Sequence, residues 1–365
     1  MSSHFAPKRT PYCLRLLRLG AILAFSCFGQ APRFEAGVAN VRIDALVTQK
    51  GRIVTGLEQG DFQVRDDGEL RDTVGFASEA LPLDVVLLCQ FVHVPPNEKN
   101  YQNFFQYFSQ WNMNSASKAL EGLRPEDRVA VISYGLDPQV EQPLTSDHAE
   151  IAAALRRIGT RNGPTVSGAH YMAIEWGLRL LAQERANEQK KGEGSLTSGT
   201  GPERPSRTPE THGNSAAAGS VVPLKVLRRS MIITVSWRGY NSPAMFNDEP
   251  AIFRLWEENT VLSAIISAPA PPARVIRQPL EPDTFRYRLD NLGHVAAETG
   301  GSVVYAPTDD FPDLLARVRS GYSLWFRAAE AKPGTVRRIS VELTEEAKKR
   351  HPGAEIRARK GYLVR

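Results

Sequence analysis

Apolar and polar residues alternate along residues 41–76 and again along 322–364, and this period of two predicts β-strands at both ends of the chain. Turn-forming residues interrupt the first region at Lys50-Gly51 and Asp66-Asp67-Gly68. Proline–glycine pairs divide the second region into three predicted strands, 322–328, 337–344 and 355–364. Neither region has enough strands to bury an apolar face alone, so we expect the two chain ends to pack together as one small β module.

Between these ends, apolar runs of strand length alternate with longer segments of helical periodicity. Strands are predicted at 83–89, 128–135, 230–237, 261–267 and 302–306. Helices are predicted at 101–123, 146–159 with Ser146 as its N-cap, 167–186, 250–259, 289–301 and 309–321. Strands separated by helices of this length predict a doubly wound α/β domain with a mainly parallel sheet flanked by helices.

One long segment, residues 184–220, is rich in glycine, serine, threonine, proline and charge. A segment of this composition buries too little apolar surface to offset the chain entropy lost on folding. We therefore predict a disordered surface insertion between a helix and the strand at 230–237.

The first thirty residues combine four basic residues, no acidic residue and an apolar run at 19–29. An apolar run of about eleven residues after a basic start is typical of a secretory signal and short for a membrane span. Residues 1–31 are therefore predicted to be a signal peptide or a signal anchor, with lipid modification of Cys27 as a further alternative. The expected location is the periplasm, the cell envelope or the extracellular space.

Charge and cysteine content exclude nucleic-acid binding and an intrachain disulfide. The net charge is +5, and the basic residues of the predicted signal account for most of it, so the rest of the chain is nearly neutral. A nearly neutral chain lacks the basic surface that binds DNA or RNA, and we expect membrane contact only through the N-terminal segment.

Because Cys13 and Cys27 lie in the predicted signal, Cys89 is left as the only cysteine and has no partner for an intrachain disulfide.

The chain resembles bacterial von Willebrand factor A-related proteins in the order and spacing of several segments. These include LPLDVVLL (81–88), RPEDRVAVISYG (124–135), LTSDHAEIAAALRRI (144–158), RRSMIITVS (228–236) and LDNLGHVAAETGGSVVYA (289–306). The resemblance covers roughly residues 40–365 apart from the predicted insertion. It implies an exported protein with a von Willebrand A-like domain at 80–321 and a β module composed of 38–78 and 322–365.

Members of that family bind a divalent cation through an Asp-x-Ser-x-Ser loop after the first strand, a Thr on a second loop and an Asp on a third. Mg²⁺ prefers about six oxygen ligands, which hydroxyls and carboxylates can supply. Transferred residue by residue, the five positions fall on Gln90, Val92, Val94, Thr165 and Trp237. Only Thr165 keeps the family's residue type, so the resemblance implies a degenerate site without a cofactor. Mg²⁺ is expected only if this interpretation is wrong.

The residues that follow strand 83–89 allow three interpretations. In the first, the apolar loop and the other site positions form a surface that contacts a partner protein. Its members are Phe91, Val92, His93, Val94, Thr165 and Trp237. In the second, the loop folds onto helix 101–123 as additional core. In the third, Cys89 and His93 are a thiol nucleophile and its base, against the plainer alternative of a small buried residue and a loop histidine.

We therefore predict an exported, non-enzymatic scaffold for protein–protein interaction or adhesion, whose partner is an unidentified envelope or extracellular protein. The alternative is a metal-dependent adhesion protein with displaced ligands, for example Asp248 or Glu249. A third class, an enzyme, lacks a recognisable constellation of catalytic residues. Neither His148 nor His170 has a partner at the spacing of a helical zinc pair, so both are expected to be solvated or capping residues.

Overall fold

The computed structural model describes residues 40–78, 81–90, 113, 122–135, 137–159, 170–197, 228–237, 248–267, 292–306 and 310–364. The first strands are β1 Asn40–Gln49, β2 Arg52–Ile53, β3 Phe62–Asp66, β4 Glu69–Arg71 and β5 Thr73–Ser78, with a 3-10 turn at Gln59–Asp61. The α/β region contains β6 Leu83–Gln90, β7 Arg128–Tyr134, β8 Gln139–Thr145, β9 Arg229–Trp237, β10 Thr260–Ser267 and β11 Val303–Ala306. Its helices are α1 His148–Gly159, α2 His170–Thr197, α3 Glu249–Glu257, α4 292–299 and α5 Asp310–Arg319. The last elements are β12 Tyr322–Arg327, β13 Val336–Leu343, α6 Glu345–Arg350, β14 Ala354–Ala358 and β15 Gly361–Leu363.

Strands of the α/β region form a six-stranded sheet in the order β11-β10-β9-β6-β7-β8. Neighbouring strands are parallel except for β7 and β8, and separate apolar clusters cover the two faces of the sheet. The predicted doubly wound, mainly parallel α/β fold is confirmed. The strand order reverses between β6 and β9, and in such sheets ligands bind outside the carboxyl ends of the strands at this point.

Strand β6 lies at the centre of this core, and all 8 of its residues are buried. Val85 and Leu87 pack on the face that α1 and α5 cover, whereas Val86 and Leu88 pack on the face that α2 and α3 cover. Helix α2 approaches the sheet closely at Gly177, where an added Cβ would lie 3.3 Å from a side-chain atom of Val86. Burial on both faces explains why β6 is an unbroken apolar run in the sequence.

Two local features of the α/β region differ from the predictions. Strand β8 was not predicted, because it has only exposed or half-buried residues and therefore no apolar pattern. It lies at the edge of the sheet, where its Pro143 is tolerated. The N-cap of α1 is Asp147 and not Ser146, because Asp147 Oδ1 accepts a hydrogen bond from the Ala149 amide at 2.8 Å.

Helix α2 continues to Thr197, so the predicted disordered insertion is wrong for residues 184–197. Charged residues attach this part of α2 to the rest of the α/β region. Glu188 pairs with Arg128 at 2.9 Å, and Arg185 donates to the backbone carbonyl that follows α3 at 2.7 Å. The composition was misleading here because residues such as Arg185 and Glu188 form a hydrogen bond and an ion pair with residues that are distant in the sequence.

Several predictions concern segments outside the described residues. These are the signal at 1–31, the remainder of the insertion at 198–220, and most of the helix at 101–123. Of that predicted helix the structure describes Met113, which is buried, and residues 122–123, which lie outside any α-helix. The domain boundaries drawn from the sequence also stay predictions. Among the helices that the structure describes, none is both long enough and apolar enough to cross a membrane.

Strands from both ends of the chain form a β module of two sheets. One sheet has the order β14-β1-β12-β5, with β2 beside β1, and the other has the order β15-β13-β3-β4. The two sheets bury a shared apolar core that includes Ile43 and Val47 of β1, Val64 of β3, Leu324 of β12 and Ile339 of β13. The predicted β module built from both chain ends is therefore confirmed.

The last part of the β module differs from the prediction of a single strand at 355–364. Strand β14 pairs with β1 whereas β15 pairs with β13, so the chain changes sheets at Arg359 and Lys360. Helix α6, which the alternating pattern does not reveal, lies between β13 and β14. It is capped by Thr344, whose side chain accepts a hydrogen bond from the Ala347 amide.

The β module contacts the amino-terminal end of the parallel sheet. Asp44 of β1 pairs with Arg229, the first residue of β9, and the Arg42 side chain donates to the carbonyl of Arg228 at 2.8 Å. Because the parallel strands run away from these contacts, their carboxyl ends lie at the opposite end of the α/β region.

Candidate functional site at the carboxyl edge of the parallel sheet

The carboxyl ends of β6 and β9 lie side by side where the strand order reverses. The two strands are in parallel register through the pair Cys89 and Val235, β6 ends at Gln90, and β9 ends at Trp237. Gln90 and Trp237, to which the resemblance transfers the first aspartate and the aspartate of the third loop, are thus the last residues of β6 and β9. We call this edge of the sheet the crown.

The remaining predicted site residues lie outside the described residues. These are Phe91, Val92, His93, Val94 and Thr165. For Trp237 the structure describes the backbone, which pairs with Ser267 of β10. The described part of the site therefore consists of Gln90 and the side chains around it.

The Gln90 side chain is held inside the protein by a hydrogen bond between neutral groups. Ser236 Oγ donates to Gln90 Oε1 at 2.7 Å, and the two residues are 3% and 6% exposed. A magnesium ligand would have to offer that oxygen to the cation, and magnesium sites normally add charge from at least one carboxylate. In this chain the oxygen is engaged with the neighbouring strand and carries no net charge.

The hydrogen-bonded chain continues from Ser236 to β7 and α2. Burial raises the pKa of the Tyr134 hydroxyl, which hydrogen-bonds to Ser236 and lies 3.2 Å from Nδ1 of His170. Burial also lowers the pKa of His170 to about 4, so both rings are neutral at pH 7. We call Gln90, Ser236, Tyr134 and His170 the crown network. It is a set of neutral polar groups beneath the crown.

An acidic residue lies next to the crown network. Asp248, just before α3, accepts a hydrogen bond from the hydroxyl of Tyr171, whose ring contacts His170 edge-on with centroids 5.7 Å apart. Asp248 and Glu249, the displaced ligands considered from the sequence, thus begin α3 near this edge. In the part of the chain that the structure describes, no three His, Cys, Asp or Glu side chains are close enough to hold a metal ion together.

Cys89, the residue before Gln90, is completely buried in the apolar cluster beneath α1 and α5. Burial, reinforced by the nearby Glu141, raises the pKa of its thiol to about 12. The thiolate is the nucleophilic form of cysteine, and at pH 7 only a minute fraction of Cys89 has that form. The geometry therefore favours the interpretation of Cys89 as a small buried residue.

Sequence reasoning did not identify Ser236 or Tyr134 as part of the site. The available signal was weak, since each is a single polar residue at the end of an apolar strand. His170, expected to be solvated or capping, instead contacts Tyr134.

Thr234 lies two residues before Ser236 on the same strand, is 0% exposed, and has a hydroxyl without a hydrogen-bond partner among the described residues.

Comparison with protein families matches residues 99–193 to the von Willebrand factor type A domain. This stretch is identified by the match as a von Willebrand factor type A domain. The matched stretch begins after β6 and ends before β9, and it includes β7, β8 and α1. The matched strands β7 and β8 belong to the same six-stranded sheet as β6 and β9. The crown, which β6 and β9 form, is therefore part of the sheet that contains the matched stretch. A search of curated proteins found no match.

Solved structures from several bacteria have some likeness to this chain. A von Willebrand factor type A protein of Catenulispora acidiphila is 10% identical over 90% of this chain and 74% of its own, with a TM-score of 0.37. An aerotolerance-related membrane protein of Bacteroides fragilis is 13% identical over 65% of this chain and 98% of its own, with a TM-score of 0.38. BatB of Bacteroides thetaiotaomicron is 15% identical with the same coverage and a TM-score of 0.35. The assignment to the von Willebrand factor type A domain rests on the match of residues 99–193, and not on the likeness to these solved structures.

Proposed function

We propose that this von Willebrand A protein is an exported, non-enzymatic interaction scaffold that binds a partner protein at the crown without a bound metal ion. The matched domain family supports a binding role. The partner is a protein of the cell envelope or the extracellular space, because the first thirty residues have the composition of an export signal.

The observation that carries the proposal is the hydrogen bond between Ser236 and Gln90. It joins the ends of the two strands on either side of the switch point, with 2.7 Å between buried, uncharged groups. Val92, Val94 and Trp237 add no hydroxyl or carboxylate at the other family positions. Dehydrating Mg²⁺ requires compensation from charged oxygen ligands, which this set of residue types does not offer.

The residue types around the crown support contact with a protein. Phe91, Val92 and Val94 follow β6 in the sequence, and Trp237 ends β9. Aromatic side chains such as those of Phe91 and Trp237 are enriched in protein interfaces, and tryptophan is among the residues that contribute most of the binding energy. A non-enzymatic role agrees with the buried, protonated thiol of Cys89, the only cysteine outside the predicted signal.

A metal-dependent adhesion protein is the second candidate, and the position of Asp248 favours it. Its carboxylate lies beside the crown network, where it accepts from Tyr171. If a cation binds there, Asp248 would have to give up this hydrogen bond or share it. This candidate predicts that partner binding needs a divalent cation and is lost in Asp248→Asn.

Partner capture from the envelope fraction of the native host tests the proposal. The purified chain serves as bait in buffer with Mg²⁺ and, separately, with EDTA, and we expect the same captured protein in both. Trp237→Ala should weaken capture, whereas Leu70→Ala, which changes an exposed apolar residue of the β module, should not. Capture that disappears in EDTA or in Asp248→Asn would favour the adhesion protein instead.

A further inference from the structure

At the amino-terminal end of the sheet, one buried arginine contacts both the α/β region and the β module. Arg229, the first residue of β9, is 2% exposed. Its guanidinium donates to the carbonyls of Val318 and Arg319 at 3.0 Å each, and to the carbonyl of Gly321. It also donates to Ser323 Oγ of β12 at 3.2 Å. A guanidinium suits this position because its donors are fixed in a planar fork.

A carboxylate of the β module completes this contact. Asp44 of β1 lies 3.4 Å from Arg229 and 3.0 Å from Arg42, and it accepts a hydrogen bond from Ser323 Oγ. Burial opposes the ionisation of Asp44, but Arg42 and Arg229 more than offset this and hold its pKa below the usual value. We call Asp44, Arg229 and Ser323 the base clamp. It joins β1, β9 and β12 through buried, paired groups.

Two glycines mark how closely the α/β region and the β module approach each other. Gly321 links α5 to β12, and an added Cβ there would lie 3.1 Å from the Ala45 carbonyl oxygen and 3.2 Å from the Arg229 guanidinium. Gly300 follows α4 with a φ of +83°, and an added Cβ would lie 2.8 Å from the backbone of Ala358 in β14. No larger side chain fits between the backbones at these points without a shift.

A second polar contact joins α4 to the β module, and it is more exposed to solvent. The Lys360 amide donates to the Glu298 carbonyl at 2.9 Å, and the Glu298 carboxylate pairs with Arg338 at 2.8 Å. The side chains of Arg338 and Lys360 are 63% and 53% exposed, so water and salt screen their charges. Of these two contacts, the base clamp is therefore the one in which a lost charge has the larger effect.

We propose that the base clamp makes the α/β domain and the β module one rigid, cooperative unit, with Arg229 as the positioning residue that fixes their relative orientation. Domains in one chain move relative to each other unless their interface is large and well ordered. Loss of the Arg229 side chain would remove one of the two cations beside Asp44 and the donor to three carbonyls around the end of α5. Because β9 begins at Arg229 and carries Ser236 near its other end, the strand that supports the crown is anchored in the β module.

Hydrogen exchange of the full chain tests this proposal. In the wild-type protein, the core amides of β1 and β12 should open with the same free energy as those of β6 and β9, because the two regions unfold together. In Arg229→Met we expect the β1 and β12 amides to exchange at least about tenfold faster than the β6 and β9 amides, because a buried ion pair has lost one partner. The control is Arg52→Met, which changes an exposed arginine of β2 and should leave both groups unchanged.

A second variant keeps the test decisive if Arg229→Met does not fold. Arg229→Lys retains the positive charge but not the planar fork, and we expect a smaller separation between the two groups of amides in the same direction. If Arg229→Lys leaves the exchange rates of both groups of amides as in the wild-type protein, or raises both by the same factor, the proposal is overturned. Separate opening of the two groups in the wild-type protein would also overturn it.

Discussion

Replacing Thr234 by valine should stabilise the protein, although most substitutions in a buried strand do the opposite. Thr234 is 0% exposed on β9, and its hydroxyl has no hydrogen-bond partner among the described residues. Valine has nearly the same shape, so the change leaves no large cavity. It removes a hydroxyl that loses its bonds to water on folding and gains none in return.

The expected gain follows from the desolvation of that hydroxyl. A buried, unsatisfied polar group costs about 1–3 kcal/mol, so Thr234→Val should raise the free energy of unfolding by about 1–2 kcal/mol. In a protein of this size, each kcal/mol corresponds to a rise in melting temperature of about 1–2 °C. Urea unfolding followed by circular dichroism measures the first quantity, and calorimetry measures the second.

A matched variant on the same strand should change stability in the opposite direction. Ser236 donates to Gln90 and hydrogen-bonds to Tyr134, so Ser236→Ala removes bonds that are made in the folded state. We expect this variant to lose about 1–2 kcal/mol. If Thr234→Val destabilises the protein as much as Ser236→Ala does, the Thr234 hydroxyl has a partner and the reasoning is refuted.

Three further predictions concern other parts of the structure. Gly301→Ala should lower the free energy of unfolding in urea by about 3 kcal/mol, because an added Cβ would lie 1.7 Å from the Leu262 carbonyl oxygen; an unchanged midpoint would contradict this packing. Cys89 should resist thiol reagents in the native protein at pH 7 and react in urea, because burial raises its pKa to about 12; rapid native labelling would argue against that burial. The pKa of Asp44 is lowered in the folded state, so its contribution to stability is present above about pH 3.9, the unfolded value, and is lost as the pH falls through the folded value. Unfolding free energies at pH 6 and pH 3 should therefore differ less in Asp44→Asn than in the wild-type protein, and equal differences would count against the base clamp.

Much of the fold could be predicted from the sequence because burial leaves a clear pattern. Strand β6 is buried on both faces and reads as an unbroken apolar run, whereas β1 alternates because one face is covered. Helix α2 was predicted too short, since its second half is held by polar partners such as Arg128, which is distant in the sequence. The change of sheets at Arg359 was missed because the alternation continues on both sides of it, so the single Lys360-Gly361 pair was not interpreted as a turn.

The candidate site could be predicted only in outline. The order of segments placed Gln90 and Trp237 at the ends of their strands, where the structure has them. The hydrogen bond between Gln90 and Ser236 could not be derived, because it depends on β6 and β9 being neighbours although four elements, β7, β8, α1 and α2, separate them in the sequence. The contact between Tyr134 and His170 has the same origin. Side-chain hydrogen bonds between non-consecutive elements leave no local signature in the sequence.

Titration of the purified chain with Mg²⁺ and Mn²⁺ tests most directly whether the crown works without a metal ion. Isothermal titration calorimetry at millimolar metal concentrations should give no saturable heat, because Gln90 Oε1 is bound to Ser236 and Thr165 is the only family hydroxyl that the sequence keeps. Thr165→Ala should behave like the wild-type protein. Saturable binding of one metal ion per chain that disappears in Thr165→Ala would contradict the proposed function.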